Sequence, residues 1–130
     1  MRQYLILFLG VLALGFCSCK KEKDETLLKQ HDISSVAGPV TGTVNTALTL
    51  TITYPYMNGC DYIGSFEESK SGNTVTVKAY AKPVDKDAVC TQDAGSRTIE
   101  YKFTPATAGT FNLKFMKPNG TSVDHTVTVQ

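Results

Sequence analysis

The sequence predicts an all-β domain: a two-sheet sandwich of seven short strands over residues 36–130, with a small barrel as the runner-up. Three observations carry that expectation. Apolar residues alternate with polar ones over five separate stretches. Thr, which fits a pleated surface, occurs 16 times from His31 onward. Turn signals built from Gly, Pro, Asn and Ser punctuate those stretches at the spacing expected of short antiparallel strands.

The chain has 130 residues, which suits a single domain with a modest core. Before the domain come two segments of different character. Met1 to Phe16 carries one charge, Arg2, followed by thirteen uncharged residues from Tyr4 to Phe16. That length suits the apolar region of a secretory signal and is too short to span a bilayer as a helix. Ser18 supplies the small residue a signal peptidase needs just before its cut, so cleavage is expected before Cys19, whereas Phe16 is a poor fit for a cut before Cys17. The junction Ser18-Cys19-Lys20-Lys21-Glu22 resembles bacterial lipoprotein signal sequences, most closely those of Bacteroidota. Phe16 stands where Leu is commoner in that pattern. The resemblance implies that residues 1–18 are removed and that Cys19 carries diacylglycerol on sulfur and an acyl chain on its new amine. Several acyl chains give stable anchoring, so the implied partner is a lipid bilayer and the implied location the outer membrane of the cell envelope. Lys23-Asp24-Glu25 is similar to the Lys-acidic-acidic signal that directs some of these proteins to the cell surface, although it is displaced by the preceding charges.

Residues 19–35 form the expected tether, charged and then polar, with Leu27, Leu28 and Ile33 as its large apolar residues. From Lys20 to Ser35 such a solvated spacer reaches about 55 Å when extended, at about 3.4 Å per residue. Without the leader the chain holds 12 basic and 12 acidic residues, Arg2 being removed from 13, so no excess positive charge points to nucleic acid.

The domain begins after Gly38-Pro39 with a weak strand, Pro39 to Asn45. The clearest strand follows at Ala47 to Tyr54, with Leu48, Leu50, Ile52 and Tyr54 on one face and Thr49, Thr51 and Thr53 on the other. Tyr62 to Ser69 is a strand whose Ile63 and Phe66 fall out of phase, which a bulge near Gly64 reconciles. Ser71-Gly72-Asn73 then turns the chain into Thr74 to Ala81, where Val75, Val77, Ala79 and Ala81 share a face. Arg97 to Phe103 aligns Ile99, Tyr101 and Phe103; Thr110 to Lys117 aligns Phe111, Leu113 and Phe115. Pro118-Asn119-Gly120 leads into Ser122 to Gln130, where His125 shares the face of Val123, Val127 and Val129. Phe103-Thr104-Pro105 followed by Ala108-Gly109-Thr110-Phe111 resembles a corner found in many bacterial immunoglobulin-like domains, which implies an immunoglobulin-like sandwich. The Cys…Trp…Cys core of antibody domains is missing, because the chain has no Trp.

Of four cysteines, Cys17 leaves with the leader and Cys19 is lipidated, so Cys60 and Cys90 remain as an even pair suited to a disulfide in an exported domain. Alternating strand directions place both at one end of the sandwich. A reactive or metal-bound thiol pair is disfavoured by the 29 intervening residues. Catalytic machinery is not expected. His31 sits in the tether and His125 in a strand, neither beside a nucleophile signature. Glu67 and Glu68 are adjacent on a strand and face opposite sides. Asp85, Asp87 and Asp93, with Asp61 nearby, lack the spacing of a calcium loop and read as solvated acids; no metal or cofactor is predicted.

One cluster remains, Tyr54, Tyr56, Met57, Asn58 and Tyr62 around Cys60. Tyr and Asn supply broad, adaptable contact area in binding loops. The competing reading has Tyr54 and Tyr62 closing the core while Asn58-Gly59 makes a turn. The expected function is a non-enzymatic binding or adhesion module that recognises an envelope protein or glycan. A structural accessory subunit of an envelope complex is the alternative, and an inhibitor of an exported protease comes third.

Overall fold

The computed structural model describes residues 28–130. The expected leader of residues 1–18, the expected lipidation site Cys19 and the expected tether as far as residue 27 lie outside the described residues.

Eight strands make up the fold: β1 (Ser35–Ala37), β2 (Thr41–Gly42), β3 (Leu48–Tyr56), β4 (Ile63–Ser71), β5 (Thr74–Ala81), β6 (Gly95–Phe103), β7 (Gly109–Met116) and β8 (Ser122–Val129). They form two layers, a three-stranded sheet ordered β1-β3-β6 and a five-stranded sheet ordered β2-β8-β7-β5-β4. The described residues are therefore an all-β sandwich, as the alternation predicts. Between the layers lie the side chains that alternation sends inward. Leu50, Ile52, Val75, Val77, Leu113, Phe115 and Val127 are fully buried there, with Tyr54, Tyr101, Phe103 and Phe111. Tyr101 is the hub of an aromatic row, edge-on to Phe66 at 5.4 Å and to Phe115 at 5.3 Å.

Of the expected first strand, Pro39 to Asn45, only β2 forms, and β1 precedes it as a strand that was not expected, which makes eight strands instead of seven. β1 pairs with β3 in one sheet, and β2 runs parallel to β8 in the other. The chain changes sheets at Gly38-Pro39. A Cβ at Gly38 would collide with the Leu50 side chain, and Pro39 has no N–H to give a ladder. The bulge expected at Gly64 is present: Ile63 pairs with Ala81 and Ser65 with Tyr80, leaving Gly64 unpaired. At the tip of that hairpin Gly72 has φ +58°, a region glycine enters without a steric penalty. From β2 onward consecutive strands alternate in direction, so β5 and β7, neighbours in the five-stranded sheet, run parallel.

Residues 29–35, expected in the tether, are woven into the sandwich. Ala81 N–H donates to Lys29 C=O and His31 N–H to Ala79 C=O, both at 2.8 Å. This segment fills the place beside the end of β5 that β7 leaves after Met116, whose carbonyl accepts from Gln30 Nε2 at 3.0 Å. It then crosses to the other sheet, where Ser34 N–H donates to Thr53 C=O at 2.8 Å. Ile33, 0% exposed, drops between the layers at the crossing. The folded body thus starts near Lys29 rather than at residue 36.

Candidate functional site

The β3–β4, β5–β6 and β7–β8 connections lie at one end of the sandwich, as alternating directions require. There Cys60 and Cys90 are joined in a disulfide with Cα atoms 5.3 Å apart, an ordinary separation for this bond. It ties the β3–β4 loop to the long β5–β6 loop, and Gly59 N–H adds a hydrogen bond to Thr91 C=O at 2.8 Å.

Within the β3–β4 loop the turn is made by Asn58. Its Oδ1 accepts from Cys60 N–H at 3.0 Å while its carbonyl accepts from Asp61 N–H at 3.1 Å. Asp61 then holds the loop to the rest of the body. Its Oδ1 accepts from His31 Nε2 at 2.8 Å and its Oδ2 from Met57 N–H at 3.0 Å. Burial alone would raise the Asp61 pKa. The Met57 N–H, the His31 ring and the charge of Lys29 outweigh it and hold the carboxyl below its ordinary range. His31, read from sequence as a tether residue, is buried with its ring edge-on to Tyr54 at 5.0 Å. This His–Asp pair joins the N-terminal segment to the loop.

Arg97, which sequence reasoning did not single out, organises the outer part. Its guanidinium lies between two rings, 3.8 Å from the centre of Tyr56 and 4.0 Å from that of Tyr62. It also donates to Asp61 C=O at 2.6 Å and Gly59 C=O at 3.3 Å. Tyr56 in turn donates to Asp93 Oδ2 at 3.2 Å, and the Thr91 hydroxyl donates to Asp93 Oδ1. The Thr91 hydrogen bond, working against desolvation and assisted by Tyr56 and Arg97, lowers the Asp93 pKa. A sequence signal for Arg97 did exist: an Arg at the start of a strand in an end otherwise rich in tyrosine.

The five residues expected to share a surface therefore separate. Tyr54 is 2% exposed and belongs to the core, as the competing reading had it, which corrects its inclusion in the expected binding surface. Its register as the seventh residue of β3, on the face of Leu50 and Ile52, explains this. Tyr56 and Asn58 are half-buried, spent on the Arg97 stack and on the turn. Met57, 71% exposed, and Tyr62, 45% exposed, remain open to solvent. Val84 and Val89 of the β5–β6 loop are also exposed. Among the loop acids, Asp85 accepts from Asp87 N–H at 3.3 Å, while Asp61 and Asp93 are committed as above. Among the described residues no group of three or more His, Cys, Asp or Glu side chains is arranged to hold a metal ion.

The remaining polar candidates have local partners. His125 donates from Nε2 to Pro39 C=O at 3.0 Å. Glu67 and Glu68 face opposite sides of β4 and accept from Tyr80 at 2.8 Å and Tyr101 at 2.7 Å respectively.

Residues 50–129, from within β3 to the end of β8, match the family model described as the ORF11 beta-sandwich domain. No curated protein and no solved structure matches the chain.

Proposed function

We propose that this chain, which belongs to the ORF11 beta-sandwich domain family, is a lipid-anchored, non-enzymatic binding module of a bacterial cell envelope that engages a protein or glycan through its disulfide-clamped end. The observation that carries this reading is the state of Met57 and Tyr62. Both stay exposed although the loop that presents them is fixed by a disulfide, a buried His31–Asp61 pair and a Tyr56–Arg97–Tyr62 stack. A side chain presented on a rigid loop loses little conformational freedom on binding, so its contact area converts efficiently into affinity.

The anchor rests on Ser18-Cys19 and the apolar stretch before it, which resemble a Bacteroidota lipoprotein signal. Lys29 enters the fold beside Ala81, at the same end as the exposed residues. Residues 20–28 reach at most about 30 Å at about 3.4 Å each. An acylated Cys19 would therefore keep the recognition end close to the bilayer, and the ligand is expected to be membrane-proximal, on the outer membrane and at the cell surface.

Two experiments test the reading. Cys19→Ser should move the protein from the membrane fraction of producing cells to the soluble fraction; a soluble wild-type protein would refute the anchor. Purified wild-type protein and the variants Met57→Ser and Tyr62→Ser should then be compared for binding to envelope vesicles from cells that lack the protein. Loss of at least tenfold in affinity is expected, with the melting temperature unchanged for Met57→Ser and slightly lowered for Tyr62→Ser, which loses one ring of the Arg97 stack. Equal binding by all three would refute recognition through this end.

A further inference from the structure

The β4–β5 hairpin lies wholly in the five-stranded sheet, so the three-stranded sheet ends at β6. Among the described residues β6 pairs only with β3, through nine positions from Leu48↔Phe103 to Tyr56↔Gly95. Its alternate residues therefore direct N–H and C=O groups outward from a nine-residue edge, a ready template for another strand. The other long edge, β4, is interrupted by the bulge at Gly64. β6 has no proline and no bulge.

The solvent face of β6 is formed by Ser96, Thr98, Glu100 and Lys102, all exposed. Its two charges, of opposite sign, flank Tyr101 symmetrically. On the inner face, Ile99 is half-buried at the open side of the core. We propose that β6 is a self-pairing edge: two copies of the chain join antiparallel about Tyr101 and continue the three-stranded sheet into one of six strands. Glu100 of each copy then stands opposite Lys102 of the other, and Ile99 opposite Phe103.

Charge selects both the occupant and the register. A strand that reads Glu-Tyr-Lys becomes its own complement when reversed, so the second copy supplies two cross-strand ion pairs at once. Centring the pairing one residue earlier would set Glu100 against Glu100, and one residue later Lys102 against Lys102. Both alternatives place like charges directly opposite, which is destabilising. The pairing uses the half of β6 that lies beyond Arg97, leaving Met57 and Tyr62 free, so it stands whether or not the loop end binds a ligand.

Sedimentation equilibrium of the full-length chain in mild detergent tests this, with wild type, Glu100→Lys, Lys102→Glu and the double swap Glu100→Lys/Lys102→Glu. Exposed charges on a strand face can be exchanged without unfolding the domain, which circular dichroism would verify. Dimerisation of the wild type is expected. Each single swap, which creates like-charge contacts on both sides of the symmetry axis, should weaken it about tenfold or more, and the double swap should restore it. A wild type that stays monomeric at all concentrations would overturn the proposal and leave the edge to a strand from another protein. A dimer insensitive to all three variants would also overturn it, since association through the leader or another face does not depend on these charges.

Discussion

Replacing Ile33 by Ala removes every side-chain carbon beyond Cβ from a site with 0% exposure between the two sheets. At about 0.8 kcal/mol per buried carbon, the three lost carbons amount to about 2.4 kcal/mol before any cavity is counted. Ile33 sits where the chain crosses from the edge of β5 to β3, pinned by hydrogen bonds at His31 and Ser34, so the surrounding backbone cannot readily collapse into the space. The cavity contribution should therefore bring the total to about 3–4 kcal/mol, within the range seen for such truncations. For a domain of about 100 residues each kcal/mol lowers the melting temperature by about 4–8 °C. Urea unfolding of the oxidised protein, followed by tyrosine circular dichroism, is the assay. The midpoint should fall while the slope stays unchanged. Leu28→Ala, at a site 45% exposed, is the control and should stay within about 0.5 kcal/mol of wild type. If Ile33→Ala behaved like Leu28→Ala, residues 29–35 would be a tether after all, and the reading of this segment as part of the core would fail.

Other predictions concern the disulfide and the titrating groups. Cys60→Ala/Cys90→Ala opens a loop whose ends are 30 residues apart. From loop-closure entropy this should destabilise by about 3.5 kcal/mol, measured as a drop in the urea midpoint, with secondary structure retained in the absence of urea. Asp61 has a folded pKa below its unfolded value, so its stabilisation is present above the ordinary carboxylate range and is lost as pH falls through the folded value. Asp61→Asn should accordingly be less stable than wild type at neutral pH, and the gap should narrow as unfolding is followed toward pH 2. Tyr101 titrates in the opposite sense: burial first, then its hydrogen bond to Glu68, raise its pKa. Its stabilisation is full below the ordinary tyrosine pKa of about 10 and is lost as pH climbs from there toward the folded value. Tyr101→Phe should cost about 1 kcal/mol at neutral pH through the lost hydrogen bond and flatten the alkaline limb of the stability profile.

Much of this fold was legible because strand periodicity is local. Leu48, Leu50 and Ile52 declare their buried face by spacing alone, as do Val75, Val77 and Phe111, Leu113, Phe115, and the structure buries all of them. The bulge at Gly64 and the turn at Gly72 were legible for the same reason: each is written within three or four residues. The Cys60–Cys90 bond followed from a count of cysteines and the alternation of strand directions. The site was less legible. Tyr54 and Tyr56 are two residues apart on one strand, yet one is core and the other, at the last rung of the β3–β6 ladder, stacks on Arg97.

By itself, then, the sequence determined which residues point inward, where the chain turns and which cysteines pair. The tertiary structure decided what is joined across the chain. His31 meets Asp61 thirty residues away, Arg97 reaches Gly59 across 38, and Gln30 caps Met116 across 86. Ile33 and His31 lie in a polar, charged context with no period, so nothing local distinguishes them from spacer; their burial comes from the gap left beside β5 where β7 ends. Sheet membership is of the same kind. Each strand has one apolar face that either layer could cover, and the choice that puts β4 and β5 beside β7, leaving β6 as an open edge, is made by packing between residues far apart in the chain.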